Sequence, residues 1–210
     1  VGFFHADSDV GRAHLDNVKL AAAELGMTVT LALPFRGDAS NDQLDEMAQR
    51  ITQAPPDLMF NHGSAGLYGK LIAKARKTRL KTTFMAVNSG STQLAADLGP
   101  LAHGMVFAQV VPSPTERKHA ISREFQAAMA KGRPGVALSY GGLEGFLTAK
   151  ALVMALQATG RDLTRAKFVS AIERSSFDLG GLGARYSTQS HEGSHFVDLS
   201  MYSREDRFIH

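Results

Sequence analysis

The chain has 210 residues, enough for one sizeable core or for one core and part of another. Its apolar share of 44%, charged share of 20% and formal charge of +3 are ordinary for a globular protein and give no reason to invoke nucleic acid. There is no cysteine, hence no disulfide framework or thiol chemistry, and no apolar run approaches the length of a membrane span. Val1–His5 reads as a strand already under way, so the expectation is a longer protein whose upstream part would carry any targeting segment.

After the loop 6–10 the spacing predicts a helix over about 11–24, with Leu15, Val18, Ala22 and Leu25 as its apolar stripe and Gly26 as its stop. Met27–Leu33 is strand-like. Ser40 and Gln43 form a capping-box pattern before a helix striped by Leu44, Met47 and Ile51. Leu58–Asn61 is a third strand, followed by a helix over about 65–79 carrying Leu67, Leu71 and Ala75. On that helix Lys70, Lys74, Lys77 and Lys81, with Arg76 and Arg79 beside them, read as a solvated face. Thr83–Val87 is a fourth strand, Thr92–Leu98 a short helix, and Met105–Val111 a fifth strand that runs into Pro112 and Pro114. This alternation is the pattern of a doubly wound, mainly parallel α/β sheet, whose crossover helices cover both faces of short apolar strands.

The second half differs. Helices are expected over 117–130, over 141–158 and after Thr164, with no buried strand before the tail. The middle one is apolar around more than half its circumference, so it should be buried on more than one side. These helices read as part of a second, incomplete lobe. Ala184–Ser187, Phe196–Tyr202 and Arg207–Ile209 then read as strands, the last two joined by a polar turn over 203–206. The expected domains are 1–111 with 184–210 as one α/β ligand-binding lobe and 112–183 as helices of the other. Crossings between them are expected near 109–116 and 178–186.

In an open parallel sheet, ligands bind beyond the carboxyl ends of the strands. Those ends hold small polar residues here: Asp7, Ser8 and Asp9; Asn61, His62, Gly63 and Ser64; Asn88, Ser89, Gly90 and Ser91. Three helix N-termini face the same rim and suit a carboxylate or similar group. Catalytic constellations do not appear. His191-Glu192-Gly193-Ser194-His195 matches a zinc-protease string, but Gly193 and Ser194 suit a loop and not the helix that this chemistry needs. Gly180-Gly181-Leu182-Gly183 lacks the third glycine of a dinucleotide loop and precedes a strand, and His62-Gly63-Ser64-Ala65-Gly66 is not a nucleophile elbow. No metal or cofactor is expected. His5, His14, His103, His119 and His210 stand alone in the sequence, where structural or solvent roles are the default. His62 differs because it ends a strand, and reads equally as a ligand contact or a structural residue.

The strings FFHADSDVGR, PPDLMFNHGSAG, AHGMVFAQVVPSP, SYGGLEGFLTAKALVMAL and FDLGGLGARYSTQSHEGSHFVDLSMYSREDRFI, in this order and spacing, resemble the second half of a type I periplasmic binding protein. The resemblance is to the branched-chain amino-acid type of ABC-transporter substrate-binding protein, and it covers essentially the whole chain. It implies a periplasmic, non-enzymatic protein that holds a small solute in a cleft between two lobes and delivers it to a membrane permease. A ligand-sensing regulatory domain on the same clamshell is the alternative, and a small α/β enzyme is a third class for which no nucleophile–base pair or metal set is seen. The ligand-binding residues implied are Ser8, Asp9, Val10, His62, Ser64, Ala65, Asn88, Ser89 and Gln109, with Tyr140 facing the cleft from the other lobe or packing inward. Val10 and Ser64 stand where leucine-type members carry aromatics, and Asn88 stands where they carry the acid that holds the ligand ammonium. A neutral amide gives up that charge-assisted contact, so the expected ligand is an amino acid, an organic or aromatic acid, or an amide, with those lacking a free ammonium favoured.

Overall fold

The computed structural model describes residues 1–78, 80–87 and 90–210. In chain order its elements begin with β1 (Gly2–Ala6), α1 (Asp9–Glu24), β2 (Leu31–Phe35), α2 (Asn41–Gln53), β3 (Leu58–His62) and α3 (Ala65–Ala75). Next come β4 (Thr83–Val87), α4 (Ser91–Leu98), a 3-10 turn (Gly99–Ala102) and β5 (Val106–Gln109). The rest are α5 (Ala120–Gly132), α6 (Tyr140–Thr159), α7 (Arg165–Arg174), β6 (Ser176–Asp178), β7 (Gly183–Arg185), β8 (Asp198–Tyr202) and β9 (Phe208–Ile209). They form two compact units, Val1–Ala108 with Leu199–His210, and Gln109–Asp198.

The first unit is built on a sheet of order β2-β1-β3-β4-β5-β8-β9. Its first five strands are parallel, with Phe4 opposite Leu33 and Asn61, Met59 opposite Phe84, and Ala86 opposite Phe107. The chain moves from β1 outward to β2 and then passes back across β1 to β3. Right-handed crossovers therefore put α1 on one face and α2, α3 and α4 on the other. On the latter face Phe4, Leu33, Phe84 and Phe107 pack with Leu44 and Ile51 of α2 and Tyr68, Leu71 and Ile72 of α3. Tyr68 is fully buried, and its hydroxyl lies 2.9 Å from the carbonyl oxygens of both Met59 and Met85. Its single proton is shared between strands β3 and β4, and burial pushes the phenol pKa far up, so it remains a donor.

Serine caps set the helix starts. The Ser8 Oγ accepts from Gly11 N–H at 3.1 Å and the Ser64 Oγ from Leu67 N–H at 3.2 Å, while Ser40 and Gln43 complete a reciprocal capping box. Gly11 is required by close approach, because a Cβ there would lie 1.9 Å from the Ala6 carbonyl oxygen.

Four local expectations change. β2 begins at Leu31, not Met27, because Met27 N–H still donates to Ala22 O at the end of α1. It also continues through Pro34, which an edge strand tolerates because no ladder partner is lost on its open side. Leu25 is the C-cap of α1 and 72% exposed, so it lies off the apolar stripe. The helix α3 stops at Ala75, and the Arg76 guanidinium does not join a solvated basic face. It donates to the carbonyls of Leu101 and His103 and lies 5.2 Å from the Phe84 ring centroid, while Lys74 pairs with Asp45 at 2.7 Å.

In the second unit, α6 packs against α5 and against α7; Ile121, Phe125 and Leu143 are buried, and the Phe125 and Phe146 rings lie 5.7 Å apart. On α6, Leu152 and Val153 are 50% and 52% exposed within this chain. A further strand precedes the tail, contrary to expectation, since β6 buries Phe177 and pairs antiparallel with β7. The glycine run 180–183 is the turn of this hairpin. Gly180 and Gly181 adopt positive φ, and the Asp178 carboxylate accepts both their N–H groups, which holds its pKa down.

Candidate functional site

The carboxyl ends of β1 and β3 mark the point where strand order reverses, the preferred ligand position in such sheets. Each leads within three residues into a helix, so the N-termini of α1 and α3 stand side by side at the rim. Ser8 and Ser64 each satisfy one N–H of those first turns, and the remaining donors of a first turn have no partner within the helix. Val10 projects from the first turn of α1 and is 61% exposed. Ala65 opens α3. Asp9 is drawn into a small ion network: the Arg12 guanidinium donates to Asp7 and to Asp9, each at 2.8 Å, and these carboxylates hold the guanidinium pKa up.

His62 ends β3 and has two imidazole neighbours that sequence reasoning had set aside. His14, one turn into α1, stacks on it with ring centroids 3.9 Å apart and planes 26° from parallel. His5 is its register partner on β1 and is buried. The His5 Nδ1 lies 3.0 Å from the Ala6 carbonyl, which only accepts, so that nitrogen carries the proton. The His62 Nδ1 is buried and has no hydrogen-bond partner. Burial, and then the proximity of His14 and His5, lower the His62 pKa, which favours the neutral ring. Asn61 points to the opposite face, is nine-tenths buried, and its Oδ1 is likewise unpartnered. Sequence distance hid this cluster. The available signal was that His5 lies one residue before the end of a strand and His14 follows Gly11 by three residues, about one helical turn.

The rim of the first unit thus brings together Ser8, Asp9, Val10, His62, Ser64 and Ala65. Asn88 and Ser89, like Arg79, lie outside the described residues. Gln109 and Tyr140 belong to the second unit, and both are buried. The string from His191 to His195 lies in irregular chain between β7 and β8, where His191 Nε2 is 3.0 Å from a Glu173 carboxylate oxygen. Among the described residues no group of three or more His, Cys, Asp or Glu side chains is placed to hold a metal ion.

The profile of the periplasmic binding protein family matches residues 1–203. The chain belongs to that family. Among solved structures, a substrate-binding periplasmic protein from Ralstonia solanacearum is 22% identical, with a TM-score of 0.87 over 99% of this chain and 60% of that one. A Rhodopirellula baltica protein described as "a possible leucine/isoleucine/valine-binding protein" is 27% identical, with a TM-score of 0.86 over 100% of this chain and 58% of that one. A fatty acid ABC transporter substrate-binding protein from Thermomonospora curvata is 20% identical, with a TM-score of 0.82 over 99% of this chain and 55% of that one. The chain therefore spans 55–60% of the length of these structures. Nothing matches among curated proteins. Among the described residues no helix is long and apolar enough to cross a membrane.

Proposed function

We propose that the protein is the periplasmic solute-binding component of an ABC importer. It takes up a small organic solute and presents it to a membrane permease. Family membership and likeness to ABC-transporter substrate-binding proteins support the class of function. One observation carries the location of the site: the capped N-termini of α1 and α3 meet at the strand-order reversal, beside an unpartnered His62 nitrogen. On this reading the ligand-binding residues of the first unit are Ser8, Asp9, Val10, His62, Ser64 and Ala65, joined by Asn88, Ser89, Gln109 and Tyr140. Residues 1–111 and 184–210 form one lobe, and 112–183 supply helices to the other.

A thermal-shift screen of the complete gene product tests the reading. The panel holds amino acids, organic and aromatic acids, their amides, and fatty acids. A solute at about a hundred times its Kd adds about 2.7 kcal/mol to the folded state, a shift of several degrees. At least one class should give such a shift, and a flat response across the panel contradicts the proposal.

A further inference from the structure

We propose that the His14–His62 pair, backed by His5, is the seat for a carboxylate group of the bound solute. This rests on the solute-binding reading above. Three imidazoles from three different elements, α1, β3 and β1, converge where strand order reverses. Among the described residues no carboxylate forms an ion pair with any of them, whereas His103 pairs with Asp206 and His191 with Glu173. The acids nearest in sequence, Asp7 and Asp9, are both engaged by Arg12. The groups that act electrostatically on His62 are His14 and His5, and a proton on either raises the local positive potential.

A buried nitrogen with no partner is rare in folded proteins and points to a group that arrives later. An anion at this place supplies what the cluster lacks. It accepts from an imidazole N–H and stabilises a protonated ring. A phosphate would call for free arginines or lysines, and Arg12, the cation on this rim, is already paired. A singly charged carboxylate suits a site built from imidazoles.

The chemistry has a consequence for pH. The free cluster favours a neutral His62, while a bound carboxylate favours the protonated form. Binding therefore takes up a proton, and affinity rises as pH falls.

The test is titration calorimetry on the complete gene product with matched acid and amide probes: benzoate and benzamide, isovalerate and isovaleramide, succinate and succinamide. At least one acid should bind about tenfold or more tighter than its amide, a difference that calorimetry resolves readily. That acid should also bind several-fold tighter at about pH 6 than at about pH 8, the interval in which imidazole titrates. His14→Gln, on the exposed side of the pair, should flatten this pH dependence. His62→Gln should weaken the acid more than the amide. Amides that bind as well as acids, acid affinity indifferent to pH, or no acid binding at all would each overturn the proposal. If amides bind while acids do not, the solute-binding reading stands and the carboxylate seat falls; if nothing binds, both fall.

Discussion

The two units differ in how fully their most apolar elements are covered within this chain. In the first, the strand residues Phe4, Leu33, Phe84 and Phe107 and the helical residues Tyr68, Leu71 and Ile72 are almost wholly withdrawn from water, on a sheet closed by helices. In the second, α6 is the most apolar helix of the chain and yet leaves Leu152 and Val153 half exposed. Apolar content alone does not make a core, because burial also needs an opposing layer. Stability of the 210-residue chain should therefore reside mainly in the first unit, which also carries the candidate rim.

Substitutions can break or sharpen this contrast. The largest effect is expected for Phe84→Ala, which deletes a fully buried ring and should cost about 3–5 kcal/mol in urea unfolding. The counterpart Leu152→Ala should stay within about 0.5 kcal/mol, as for an exposed position. Comparable losses for the two would erase the distinction between the units. Gly11→Ala comes next, at about 1–3 kcal/mol or more, because the added methyl group collides with the Ala6 carbonyl and α1 must lift from β1. Wild-type stability in that variant would show that the helix seats differently. Tyr68→Phe keeps the packing and removes one shared hydrogen bond, so a loss of about 1–1.5 kcal/mol is expected from denaturant melts.

The smallest effect is in pH dependence. His62 has a native pKa below its unfolded value, so the unfolded chain takes up a proton first as pH falls. Its contribution to stability is complete above about pH 6.5 and is lost below that, until the lower native pKa is passed. Urea melts from about pH 7.5 to 5 should show the decline, and His14→Gln should reduce its slope. A slope unchanged in that variant would separate the stacked ring from the shift.

Much of the first unit was legible in the sequence for a physical reason. Strands covered on both faces appear as short apolar runs, and Ser40 with Gln43 announces a helix start by residue type alone. The start of β2 was not legible, because Val29 fits a strand pattern while the chain is still bonded to the end of α1. Three-residue β6 is too short to show a period, and its glycine turn looked like an isolated feature. The exposure of α6 depends on what packs against it, which no helical periodicity encodes. For the rim, Ser8, Ser64 and His62 could be placed because each sits at an element boundary. His5 and His14 could not, because their meeting depends on the β1–β3 register and on the rotation of α1 over the sheet.

The central claim is that a solute binds at the rim where β1 and β3 give way to α1 and α3. Hydrogen exchange read by mass spectrometry tests it most directly, on the complete gene product with and without the solute that gives the largest thermal shift. Peptides covering residues 6–12 and 62–68 should gain protection on binding. Protection that leaves both segments unchanged and falls instead on α6, α7 or residues 186–197 would contradict the account.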